Sequence, residues 1–200
     1  MIQACLFDMG NVLVKFSHTQ MLEQMAVVCD CESELLREWL FESGRLLDFE
    51  RGFISDDELH LQIEELIGKR IDQQKLRWAA SDIFSVNEQI VPLLDELRKK
   101  EMPLVLLSNT SRIHFEHIRD QFSILDYFDS FVLSYEVGMI KPEPEIFERA
   151  AREAKTAPEN CFFTDDILEN IIAARQAGLQ AEQFHHATQL SQFLKQRLPA

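Results

Sequence analysis

The sequence has no excess of positive charge. Its 20 Lys and Arg face 34 Asp and Glu, for a formal net charge of −14. So acidic a chain is unsuited to binding DNA, RNA or anionic membranes through counterion release. Long apolar runs are missing too. No segment approaches the roughly 20 apolar residues that span a bilayer. Apolar Ile2 to Phe7 is cut off by Asp8 with no basic stretch before it, so no secretory leader is expected. Cysteine is sparse, with Cys5, Cys29, Cys31 and Cys161 alone. Cys29-Asp30-Cys31 has no second Cys/His pair at finger-like spacing, which argues against zinc. Reduced, structural thiols and a cytoplasmic location are the expectation. Neither glycine-rich nucleotide-binding signature occurs, which argues against a dinucleotide-binding domain and a P-loop enzyme. Internal repeats and low-complexity linkers are also lacking.

What is present is an ordinary globular composition, 46% apolar and 27% charged over 200 residues, enough for one domain or one domain with an insert. Ala4 to Phe7, Leu104 to Leu107, Phe131 to Leu133 and Cys161 to Phe163 are short apolar runs without helical period, and Leu179 to Phe184 is a weaker fifth. Such runs suit strands buried on both faces of a parallel sheet. Helical patterns lie between them: Leu93, Leu94 and Leu97 after Pro92; Ile146, Phe147, Ala150 and Ala151 after Pro142; and Glu169 to Ala177, stopped by Gly178. The alternation predicts an α/β fold with a doubly wound parallel sheet.

Residues 17–86 break the alternation and read as consecutive helices. One carries Met21, Leu22, Met25 and Val28 on a face, and another Leu35, Leu36, Trp39 and Leu40. A third opens with the capping box Ser55-Asp56-Asp57-Glu58. The expected organisation is an α/β core of residues 1–16 and 87–200 with a helical cap of residues 17–86. Trp39, Phe41, Phe49, Phe53 and Trp78 are expected mostly in the cap's core, and Arg37, Arg45 and Arg51 on a solvated face.

The strand ends carry the chemistry. The first run ends at Asp8 and the second at Ser108-Asn109-Thr110. The third leads to Lys141-Pro142, and the fourth ends at Thr164-Asp165-Asp166. Ligands of open parallel sheets bind at the carboxyl ends of strands. A lone Asp after a strand is usually a turn residue and a lone Lys-Pro usually surface; the joint, ordered occurrence is what points to a site. Asp8, Asp165 and Asp166 brought together would repel one another unless a hard cation such as Mg²⁺ joined them. Lys141, Ser108 and the backbone N–H of Asn109 would complement a phosphoryl group.

Phe7-Asp8-Met9-Gly10-Asn11-Val12-Leu13, Leu107-Ser108-Asn109-Thr110, Gly138 to Phe147 and Phe163 to Asn170 resemble the four motifs of the haloacid dehalogenase-like superfamily. The insert matches that superfamily's helical cap in position. Glu50-Arg51-Gly52 with Ile54-Ser55-Asp56 is similar to a cap segment of its α-glucose-1-phosphatase subgroup, and the N-terminal phosphatase domain of soluble epoxide hydrolases is a second likeness. The resemblance implies a Mg²⁺-dependent phosphatase of small phosphate esters, with a sugar phosphate among the substrates. Asp8 would be the nucleophile that forms an aspartyl-phosphate. Ser108 and Asn109 would hold the phosphoryl oxygens, and Lys141 would bridge Asp8 and the phosphoryl group. Asp8, the Gly10 carbonyl and Asp166 would bind the metal, with Asp165 outer-shell or water-mediated and Asn170 orienting the metal's water shell.

The family's usual acid–base Asp, two residues after the nucleophile, is Gly10 here, and the Asn11 amide cannot replace it. Three readings stay open. In the first, the substrate carries a leaving group good enough to need little protonation. In the second, a cap residue supplies the proton, with His18 and His60 as the candidates. Or the chain is a non-catalytic phosphate- or partner-binding protein. A metal-independent 2-haloacid dehalogenase shares the fold, but the Asp165-Asp166 pair argues against it. A receiver domain has the opposite motif order.

Overall fold

The structure is a computed structural model that describes residues 1–198. Strands β1 (Ala4–Phe7) and β2 (Val14–Lys15) precede five helices: α1 (His18–Cys29), α2 (Ser33–Arg37), α3 (Arg45–Glu50), α4 (Asp56–Ile67) and α5 (Gln73–Ser81). Then come β3 (Ser85–Val86), α6 (Val91–Lys99), β4 (Leu104–Ser108), α7 (Arg112–Gln121), β5 (Ser130–Leu133) and α8 (Ser134–Val137). The chain closes with α9 (Pro144–Glu153), β6 (Cys161–Asp165), α10 (Leu168–Gln176), β7 (Gln180–Gln183) and α11 (Ala187–Lys195).

Five strands form one parallel sheet in the order β5-β4-β1-β6-β7. All five expected strands are present. Their continuous apolar sequences follow from burial on both sides. Cys5, Phe7, Leu104, Leu106 and Phe162 pack with Leu93, Leu94, Leu97 and Leu190 on one face. Ala4, Leu6, Val105, Leu107 and Phe163 pack with Ile146, Phe147, Ala150 and Ile171 on the other. Each fully buried Leu or Phe is worth about 1.5–3 kcal/mol of burial, so the sheet is a rigid base for whatever its ends carry. The order reverses about β1, with β4 and β5 to one side and β6 and β7 to the other. The crevice outside the carboxyl ends of β1, β4 and β6 is therefore where a ligand is expected to bind.

The helices between β2 and β3 bury their own cluster, including Met21, Leu22, Met25, Leu36, Leu40, Phe49, Leu59 and Ile63, and add Ile113 from α7. The Ser55 capping box forms in full. Three details differ from the sequence expectation. β2 and β3 pair antiparallel where the chain leaves and rejoins the α/β region; two-residue strands are too short to leave a periodic signal. The second expected cap helix loosens into a π-helical turn over Glu38–Glu42, and Leu35 is left exposed. Phe53 and Trp78 are 65% and 54% exposed, so they do not belong to the helical core that holds Phe49.

Candidate active site

Asp8 directly follows β1, and its N–H donates to the Thr164 carbonyl at 3.0 Å, which extends the β1–β6 ladder by one residue. The chain then turns tightly. The N–H groups of Leu13 and Val14 both donate to the Met9 carbonyl, and Asn11 sits at φ 55°, a left-handed conformation that Asn tolerates better than most residues. This turn aims the Asn11 amide back at the sheet, where Nδ2 donates to Asp166 Oδ2 at 2.9 Å.

Lys141 lies deep in the crevice, 3% exposed. Its Nζ donates to Asp8 Oδ1 at 2.6 Å and to Asp165 Oδ2 at 2.7 Å, and it stands 5.5 Å from the centroid of the Phe163 ring. Asn109 fixes the loop that carries this lysine: its Nδ2 donates to the Lys141 carbonyl and its Oδ1 accepts the Lys141 N–H, at 2.9 and 2.8 Å. The Asn109 side chain is thus committed to the protein. Asp165 is fully buried with both oxygens engaged, Oδ2 by Lys141 and Asn170 and Oδ1 by the Ile167 N–H.

Burial raises the pKa of the Asp8 carboxyl, Lys141 opposes the rise, and Asp165 adds to it. Burial would lower the Lys141 pKa, but Asp8 and Asp165 outweigh it and the ammonium is held charged. Oxygens of Asp8, Asp165 and Asp166 lie within 4.8 Å of one another. Three carboxylates against one ammonium leave negative charge uncompensated, and an all-oxygen donor set fits a hard divalent cation.

One cavity of about 230 Å³ is lined by Asp8, Gly10, Asn11, Ser108, Asn109, Lys141, Asp166 and Asn170, together with Phe16, His18, Glu50 and Phe84. Every sequence-predicted site residue lies here except Asp165, which sits beneath, bonded to Lys141.

A family model described as haloacid dehalogenase-like hydrolase matches residues 2–178. The chain belongs to the haloacid dehalogenase-like hydrolases. Among curated proteins, the D-ribitol-5-phosphate phosphatase of Bacteroides thetaiotaomicron is 26% identical over 191 residues, 92% of each chain. The sesquiterpene phosphatase of Aspergillus oryzae is 26% identical over 178 residues, 88% of this chain and 87% of that one. Among solved structures, a family enzyme from Bacteroides thetaiotaomicron in complex with magnesium and inorganic phosphate superposes with a TM-score of 0.81 at 29% identity, covering 93% of this chain and 96% of the other.

Within this hydrolase, Phe16 accounts for the glycine at position 10. A Cβ on Gly10 would lie 2.8 Å from Phe16 Cε1, so the ring fills the space where a longer side chain would start. Of the two histidines considered as proton carriers, His60 is outside the site. Its Nε2 bonds the Ile71 carbonyl at 2.9 Å, and it lines a different cavity among α4 and α5. His18 does face the site, edge-on to Phe16 and Phe41 with centroids 5.0 Å apart, and burial lowers its pKa.

Sequence reasoning missed Glu50, the last residue of α3, which enters the cavity from the helical segment. Its backbone is anchored there. The Ser134 hydroxyl lies 2.5 Å from the Glu50 carbonyl and accepts the Thr110 N–H at 2.9 Å. Arg51 pairs with Glu143, which also accepts the Ile140 N–H; Arg51 is therefore bound to the Lys141 loop and only partly exposed. In the sequence Glu50 belonged to the Glu50-Arg51-Gly52 stretch that resembles a cap segment, but nothing in its spacing gave its carboxyl group a role.

Proposed function

We propose that the protein is a Mg²⁺-dependent phosphatase of small phosphorylated metabolites, sugar phosphates among them, acting through an aspartyl-phosphate on Asp8. The observation that carries the reading is the Lys141 ammonium between Asp8 and Asp165 in the cavity at the strand ends. A phosphate ester entering there meets a nucleophilic carboxylate, a fixed positive charge and the Ser108 hydroxyl and Asn109 backbone together, and phosphoryl transfer depends mainly on such positioning and charge stabilisation. Asp8 attacks phosphorus in line; Lys141 orients Asp8 and balances the charge of the phosphoryl oxygens.

Mg²⁺ would be held by Asp8, the Gly10 carbonyl and Asp166, and would supply further charge neutralisation on the phosphoryl oxygens. Asp165 suits an outer position because both its oxygens are already engaged. Asn170, bound to Asp165, would act through it. The uncompensated carboxylates favour this reading over a metal-independent 2-haloacid dehalogenase. Helical residues 17–86 act as the cap that shields the site from water. The two named phosphatase activities among the relatives, on D-ribitol 5-phosphate and on a sesquiterpene phosphate, support a phosphate monoester of a small organic alcohol as the substrate class.

The test is hydrolysis of phenyl phosphate, alditol phosphates and sugar phosphates by purified protein with and without Mg²⁺. Activity should require the metal, and Asp8→Asn should abolish it with the fold intact by circular dichroism. Hydrolysis indifferent to both Mg²⁺ and Asp8→Asn would overturn the reading.

A further inference from the structure

An ordinary alkoxide is a poor leaving group, and a phosphatase acting on alkyl esters needs a proton donor beside the ester oxygen. Position 10 cannot supply one. It has no side chain, and the Phe16 edge closes the space above it. The titratable groups around the cavity are Asp8, His18, Glu50, Lys141 and Asp166. Asp8 and Lys141 are paired with each other, and Asp166 accepts the Asn11 amide within the carboxylate cluster. His18 and Glu50 are left, both on the cap side.

We propose that Glu50 is the acid–base residue of this hydrolase, doing from the cap what the residue after the nucleophilic strand cannot do. The inference rests on the phosphatase reading above. Three observations favour Glu50 over His18. Its carboxyl group, among the described residues, takes part in no hydrogen bond or salt bridge, so its proton is not committed elsewhere. Its backbone is fixed against the site through Ser134, and the next residue, Arg51, through Glu143, so the residue is held at the wall of the cavity. Burial pushes its carboxyl up to about 7, against a smaller downward pull from Lys141, which makes both proton donation and proton acceptance accessible near neutral pH. His18, in contrast, is wedged between two aromatic rings and held toward its neutral form, which is the wrong state for a donor.

The steps balance as follows. Asp8 attacks phosphorus and the P–O bond to the alcohol breaks. Its electron pair stays on the ester oxygen, which takes the proton of the Glu50 carboxyl and departs as the neutral alcohol. Glu50, now a carboxylate, then removes a proton from a water as that water's oxygen attacks phosphorus. The P–O bond to Asp8 breaks, its electron pair returns to the Asp8 carboxylate, phosphate leaves, and Glu50 is protonated again.

The experiment compares wild type, Glu50→Gln, Glu50→Asp and His18→Asn on phosphate monoesters of graded leaving group, from 4-nitrophenyl phosphate to alkyl phosphates, with Mg²⁺. Glu50→Gln is expected to lose roughly 10²–10⁴-fold in kcat/KM on alkyl phosphates and far less on 4-nitrophenyl phosphate, whose product needs no proton. On the latter substrate it should release a burst of nitrophenolate equivalent to the enzyme, because hydrolysis of the aspartyl-phosphate has become slow. Glu50→Asp should recover part of the alkyl phosphate rate. A uniform loss across leaving groups with no burst would overturn the proposal in favour of a binding or packing role, as would a leaving-group-selective loss in His18→Asn instead. Failure of the underlying phosphatase reading would look different, because wild type itself would then show no Mg²⁺- and Asp8-dependent hydrolysis.

Discussion

At the scale of single residues, the site is a set of exchanges between neighbours whose roles their types alone do not reveal. Asn109 illustrates this: its amide is spent on both backbone groups of Lys141, so the side chain holds a loop in place. Phe16 is another case. Introducing the family's usual carboxylate by Gly10→Asp brings the new side chain against the Phe16 ring, which is itself packed on His18 and Phe84. Overpacking of this kind costs about 1–3 kcal/mol. Gly10→Asp is therefore expected to lower the melting temperature and to gain no activity on alkyl phosphates. Adding Phe16→Ala should restore the room and show whether an acid at position 10 then helps. Thermal melts and kcat/KM of the single and double variants check this, and a fully stable, more active Gly10→Asp would contradict it.

At the scale of elements, the junction between α3 and α8 joins the helical segment to the α/β part of the chain. Gly52 has φ 74°, and a Cβ there would lie 2.2 Å from the Tyr135 carbonyl oxygen. A left-handed conformation costs a non-glycine residue about 1–2 kcal/mol, and a clash with backbone cannot be relieved by turning a side chain. Gly52→Ala is expected to push the Glu50 segment away from Ser134. Stability should fall by at least that amount, and kcat/KM should fall even though Asp8, Lys141 and Asp166 are untouched. Urea unfolding with parallel kinetics measures both, and wild-type values for the two would disprove the close packing described. The same junction explains why Arg51 leaves the solvated face expected for it. Glu143 offers it a partner that also holds the Ile140 N–H, and that meeting lies 92 residues away along the chain.

For the whole molecule, a second link between helical segment and sheet makes stability depend on pH. His114 on α7 is buried with Nε2 3.1 Å from the Ala80 carbonyl at the end of α5. Burial lowers its pKa from 6.5 to about 4, against a smaller opposite effect of the Ala80 carbonyl. Between these values the unfolded chain binds the proton and the folded one does not, so stability from this group is complete above pH 6.5 and declines as pH falls toward 4. The full decline is worth roughly 3 kcal/mol. Wild type should therefore lose more stability than His114→Gln between pH 7 and pH 4.5 in chemical denaturation, and parallel losses would rule out this origin.

The core strands and most of the site were legible in the sequence for one physical reason. A parallel strand covered on both faces must be apolar throughout, so the first polar residue after each run marks the carboxyl end where ligands bind. Asp8, Ser108 and Asp165-Asp166 announce themselves in this way, and Lys141 follows from the Gly138 to Phe147 motif. The helical segment was legible only as helices. Their amphipathic faces and the Ser55 capping box are local patterns, whereas the choice of Phe49 over Phe53 and Trp78 for burial depends on which helix meets which. Only the tertiary structure decided that Phe16 closes the space over Gly10, that Asn109 clamps Lys141, and that Glu50 and not His60 looks into the cavity. Apart from the short Gly10–Phe16 approach, these are meetings between segments some 30 to 130 residues apart, brought together by tertiary packing, and no periodicity or spacing along the chain encodes them.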